Sequence, residues 1–91
     1  MRLTVHYVAQ IKSVAGLAAE HLDLDRPTQT RDVLARLVES HGPLRQLLLT
    51  PEGSVQPTIL LFLGDEQIGP DRPIPSRDGD VLTILSPMAG G

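Results

Sequence analysis

Ninety-one residues, 41% of them hydrophobic, with a formal charge of −3, suffice for one compact core and leave no room for a second lobe or an internally buried cofactor. About three residues in ten are Leu, Ile, Val or Phe, above the roughly 20% below which chains stay disordered, and the 8 glycines and 8 prolines call for short elements and many turns. Tyr7 and Phe62 are the only aromatics and acids outnumber bases 11 to 8, so the basic footprint and stacking platform of a nucleic-acid binder are both missing and proteins are the expected partners.

Leu3, Val5 and Tyr7 alternate with Thr4, His6 and Val8, the period-2 pattern of a strand with one buried face. Ala9 to Gly16 reads as irregular. Glu20 to Asp25 alternates again, Leu22 and Leu24 against His21, Asp23 and Asp25, as a half-exposed strand pairing with the first, and Arg26 and Pro27 end it. Val33, Leu34, Leu37 and Val38 then share one face of an amphipathic helix. Thr30 is expected to accept from the free N–H groups of its first turn, Asp32 to complement its dipole, and Asp32 and Arg36 to pair across one turn. Gly42 and Pro43 stop this helix, and Leu44, Leu47 and Leu48 extend the apolar face in a short second piece.

Thr50 to Gln56, with Pro51 and Gly53, is expected to be a flexible loop. Thr58 to Leu63 reads as a strand, turned at Gly64-Asp65 into a short strand around Gln67 and Ile68. Gly69 to Pro75 carries three prolines and is expected to be irregular. Asp78-Gly79-Asp80 is a turn signal, and Val81 to Leu85 is the last strand. This order implies an α+β class: a β-grasp roll with a mixed sheet of about five strands, one main helix packed on one face, and a free C-terminal tail. Residues 1–86 are expected to form the domain and 87–91 an extended Gly-Gly tail. Ile59 to Leu63 and Val81 to Leu85 are apolar on both faces although one helix covers only one, so the second face is either buried by a partner or a sticky patch.

Cysteine is absent, which excludes disulfides, thiolate metal sites and a cysteine nucleophile. His6, His21 and His41 fall in three different elements without metal-ligand spacing, the serines show no nucleophile-elbow pattern, and Asp78-Gly79-Asp80 lacks the register of a calcium loop. No metal and no bound cofactor are expected. The longest apolar run, Ile59 to Leu63, is far short of a membrane span, and polar residues interrupt any signal-peptide segment, so a cytoplasmic protein without membrane contact is expected. The chemistry is left to the tail. Glycine has no Cβ, so a chain ending in Gly90-Gly91 can thread a narrow channel in another protein and present the Gly91 carboxylate there as the reactive group.

Tyr7-Val8-Ala9-Gln10-Ile11-Lys12 with Val14-Ala15-Gly16, then Asp78-Gly79-Asp80-Val81, then Pro87-Met88-Ala89-Gly90-Gly91 resemble the MoaD/ThiS family of ubiquitin-like sulfur carriers, most closely its molybdopterin-synthase small subunits, over nearly the whole chain. The glycine ending is shared by every branch; the Ala-Gln-Ile-Lys stretch favours the molybdenum branch. The Leu63-Gly64-Asp65-Glu66 turn and the length of the Thr50 to Gln56 loop depart from that branch, the loop being closer to relatives serving cysteine synthesis or protein conjugation.

The resemblance implies a carrier cycle. An ubiquitin-activating-like adenylyltransferase, using ATP, would adenylate the Gly91 carboxylate, a sulfur donor would convert it to a thiocarboxylate, and a larger synthase subunit or another acceptor would take the sulfur. The chain would then be a sulfur-donating subunit or co-substrate and no catalyst alone. Alternatives are a carrier for cysteine or thiamine synthesis or tRNA thiolation, or a ubiquitin-like modifier conjugated through Gly91. Val8, Phe62 and Leu85, with Pro87, Met88 and Ala89 of the tail, are expected to bind the partners.

Overall fold

In the computed structural model of the chain, which describes residues 1–75 and 77–86, the first alternating stretch is β1 (Arg2–Ala9), with Leu3, Val5 and Tyr7 buried on one side. A short helix α1 (Gln10–Ala15) follows, then β2 (Ala19–Asp23), the two-residue β3 (Thr28–Gln29), the main helix α2 (Thr30–Ser40), a 3-10 turn over Gly42–Leu44, and α3 (Arg45–Leu48). The second half is β4 (Leu60–Leu63), β5 (Glu66–Ile68), the two-residue β6 (Pro73–Ile74) and β7 (Val81–Ser86). Five strands form one mixed sheet in the order β2-β1-β7-β4-β5. β1 and β7 are parallel and every other neighbouring pair is antiparallel. The β-grasp expectation therefore holds, with a separate β3–β6 ladder added beside the main sheet.

The core lies between one face of this sheet and the helices. Val33, Leu34, Leu37 and Val38 of α2 meet Leu3, Val5, Leu82, Ile84 and Leu61 from the strands, all buried. Leu44 and Leu48 carry the same apolar face onward through the 3-10 turn and α3. No described helix is long and apolar enough to cross a membrane.

Several local expectations change. The Ala9 to Gly16 stretch is helical because Ile11, wholly buried, pins α1 to the core; Ala9 enters it at φ 59 and Gly16 closes it at φ 80, its N–H donating to the Lys12 carbonyl at 3.0 Å. Thr30 is the first residue of α2, not its cap. Its Oγ1 donates to the Arg72 carbonyl at 2.7 Å, its own N–H donates to the same oxygen at 3.0 Å, and the Arg31 N–H donates to the Pro70 carbonyl at 2.9 Å. The 70–72 segment thus caps the helix through its backbone, a tertiary substitute for a side-chain cap. Arg36 Nη1 donates to the Asp23 carbonyl at 3.1 Å, in place of the expected pair with Asp32.

The proline-rich 69–75 stretch is not wholly irregular. Ile74, fully buried, pulls it into register with β3, Thr28 facing Ile74 and Gln29 facing Pro73. The loop from Thr50 to Gln56 is laced by hydrogen bonds: the Thr50 N–H donates to the Ser54 carbonyl at 2.7 Å and the Gln56 N–H to the Leu48 carbonyl at 2.8 Å, around a Leu49–Val55 bridge.

Candidate functional site: the outer sheet face and the root of the tail

β7 delivers the chain toward its C-terminal residues, and its sequence explains how. Leu82, Ile84 and Ser86 point inward and are buried, while Val81, Thr83 and Leu85 are half-buried on the opposite face. The parallel ladder with β1 runs as far as Ala9 opposite Ser86, so the backbone is held in register up to the residue before Pro87. Proline has no N–H to continue such a ladder. Pro87, Met88, Ala89, Gly90 and Gly91, which carry the sequence-based expectation for chemistry, lie outside the described residues.

On the outer face the expected patch residues come together. Val8, 38% exposed, is the register partner of Leu85 on β7. Leu85 is in turn the partner of Leu60 on β4. These three make one apolar row across three strands, level with the end of the β7 ladder. Phe62 sits one row further back, opposite Thr83 on one side and Gln67 on the other, with His6 completing that row. The sequence reading named Val8, Phe62 and Leu85 but passed over Leu60, although the alternation of Ile59 to Leu63 places Leu60 and Phe62 on the same face.

The histidines are dispersed. His6 and His21 are exposed, His21 with Nδ1 3.2 Å from Thr4 Oγ1. His41 belongs to a part-buried cluster on the inner side: its Nε2 and the Tyr7 hydroxyl both donate to Glu20 Oε2, the former at 2.6 Å. The Tyr7 and His41 rings meet edge to face, 6.2 Å between centres. Burial, reinforced by the Glu20 carboxylate, pushes the Tyr7 phenol far above its ordinary range, so it stays a hydrogen-bond donor. The cluster ties the β1–β2 hairpin to the exit of α2, a connection that sequence spacing alone does not reveal.

Comparison with known proteins places this geometry. A family model described as the ThiS family matches residues 5–91. A molybdopterin synthase sulfur carrier subunit from Chlamydomonas reinhardtii is 30% identical over 91 residues, covering 100% of both chains. Among solved structures, SAMP1 from Haloferax volcanii superposes with a TM-score of 0.87 at 23% identity over 100% of both chains. A chain of the complex of subunits 1 and 2 of molybdopterin-converting factor from Helicobacter pylori 26695 does so with a TM-score of 0.63 at 21% identity, again covering 100% of both. At these identities the two structures show the shared ubiquitin-like β-grasp fold.

Proposed function

The chain belongs to the ThiS family, and from that premise we propose that it is a sulfur carrier whose Gly91 carboxylate is adenylated and then thiocarboxylated, serving as the small subunit of a molybdopterin synthase. The observation that carries the reading is the full-length 30% identity to a molybdopterin synthase sulfur carrier subunit. The geometry supports it: the β1–β7 ladder runs to Ser86 beside an outward apolar row of Val8, Leu85 and Leu60, so a partner seated on that row would meet the chain where it leaves the sheet.

The chemistry follows from the residues. ATP, bound by a partner adenylyltransferase, supplies the activation: the Gly91 carboxylate oxygen attacks the α-phosphorus and pyrophosphate leaves. Sulfide from a donor then attacks the acyl carbon, the new C–S bond forming as the C–O bond to AMP breaks and a proton is released, which leaves a terminal thiocarboxylate. That sulfur is a soft anion at neutral pH by analogy with a thiolate, so the carrier needs no cysteine of its own and has none. The chain contributes a docking face, a fixed root and a side-chain-free end; acid–base groups belong to the partners.

Reconstitution with an ubiquitin-activating-like enzyme and ATP tests the first step. Release of pyrophosphate that depends on the chain and disappears when Gly91 is deleted is the expected result. Pyrophosphate release that survives the deletion, or none with any cognate activating enzyme, contradicts the proposal.

A further inference from the structure

Across β1 from β7, a shallow depression of about 370 Å³ is lined by His6, Val8, Ala9, Lys12, Ala18 and Ala19 together with Tyr7. Its walls are mostly small and apolar, and its rim holds Lys12, the only lysine in the sequence. Lys12 is exposed, and among the described residues no carboxylate pairs with it, whereas Arg2, Arg31, Arg72 and Arg77 each face one.

Five residues, Pro87-Met88-Ala89-Gly90-Gly91, follow Ser86, and Ser86 is the register partner of Ala9, which lines the depression. The far wall, on β2, is two strand spacings from β7, about 10 Å. Five residues span up to about 17 Å when extended. The match is chemical as well as metric: Met88 and Ala89 suit the apolar walls, Gly90 and Gly91 can lie close against backbone, and the terminal carboxylate complements the one ammonium on the rim.

We infer that the C-terminal segment of this chain docks into this depression when no partner is bound, with the Gly91 carboxylate beside the Lys12 ammonium. Val8 lines the depression and also belongs to the apolar row described above, so a partner that seats on the row competes with the docked tail for Val8 and frees it. An exposed ion pair is weak and salt-screened, which keeps the docked state easy to displace. That consequence for activation rests on the proposed carrier function; the docking itself does not.

Carbodiimide coupling of the full chain, as an equal mixture of unlabelled and heavy-nitrogen protein and without ATP or any partner, tests the inference. The reagent joins a carboxylate to an amine in contact, carrying the lost oxygen away as a urea. The expected product is a monomer one water lighter that contains a Lys12–Gly91 isopeptide, its yield falling several-fold at about 1 M salt, where the Debye length shrinks to about 3 Å. In the uncoupled chain, Lys12→Gln is expected to move the Gly90 and Gly91 amide resonances and leave core resonances in place. Coupling of Lys12 to side-chain carboxylates alone, coupling of Gly91 in mixed-isotope dimers alone, or tail resonances indifferent to Lys12→Gln would each overturn it. Because no activating enzyme is present, a negative result here leaves the carrier reading intact, and a failure of adenylation leaves this inference intact.

Discussion

The two faces of the sheet answer to different demands. On the inner face of β7, Leu82 and Ile84 are fully buried under the helices; on the outer face of the same strand Val81, Thr83 and Leu85 are half-buried, and Val8 beside them is 38% exposed. Both faces are apolar, yet among the described residues the helices cover only the inner one. An antiparallel or mixed sheet that needed only to fold would turn polar residues outward. The apolar residues of the outer face are those that the proposed partner docking would use, and Val8, Leu85 and Leu60 lie where the chain leaves the sheet.

The largest effect that would break this contrast is expected on the inner face. Ile84→Ala should cost about 2–5 kcal/mol, the range for emptying a packed aliphatic site, read from urea unfolding; a loss below about 1 kcal/mol would mean the inner face is not the core. On the outer face, Phe62→Glu should leave the unfolding midpoint within about 1 kcal/mol while weakening binding to a synthase large subunit and to the activating enzyme by about 30-fold, the scale of an interface hot spot. Unchanged binding would remove Phe62 from the interface. Leu60→Glu, in the same row as Leu85, should behave alike.

Thr30→Val sharpens the contrast from within the fold. It deletes the buried Oγ1 bond to the Arg72 carbonyl but keeps the N–H bond to the same oxygen, so a cost of about 1 kcal/mol is expected in unfolding. The smallest effect is at the Glu66–Arg72 pair, joined by two hydrogen bonds of 2.9 and 3.0 Å on the surface. Hydrogen bonding and then charge attraction from Arg72 hold the Glu66 carboxyl below its ordinary range. A carboxylate whose folded pKa is depressed stabilises the fold above the unfolded value and loses that contribution as pH falls through the folded one. Arg72→Gln should therefore return the Glu66 titration, followed by NMR, to the ordinary carboxylate range and flatten that acid-side dependence; an unmoved titration would show that the pair is not formed in solution.

Strands with one-residue alternation were legible because period-2 burial is written directly in Leu3, Val5 and Tyr7 and in Leu82 and Ile84. Elements imposed by tertiary contact were not. α1 has six residues, one fully buried side chain and no side-chain cap, too little local signal to distinguish it from a loop. The β3–β6 ladder depends on Ile74 finding the core across a prolyl segment, and Thr30 looked like a cap because its residue type favours caps, whereas the 70–72 backbone occupies that role. At the site, Val8 and Leu85 were recognisable as apolar residues near the tail, but that Leu60 completes their row follows from the β4–β7 register, which spacing along the chain does not contain. The family resemblance, by contrast, lay in the sequence itself, and the ThiS match over residues 5–91 bears it out.

In the proposed carrier function, Gly91 carries the sulfur. Intact-mass measurement of the protein isolated from its own cells, with its C-terminal fragment sequenced, tests this most directly. A fraction of molecules with one terminal oxygen replaced by sulfur at Gly91 is the predicted result. An unmodified carboxylate in every molecule, including those recovered with the activating enzyme and ATP, would contradict it, and isopeptide adducts of Gly91 on other proteins in place of sulfur would mark a modifier.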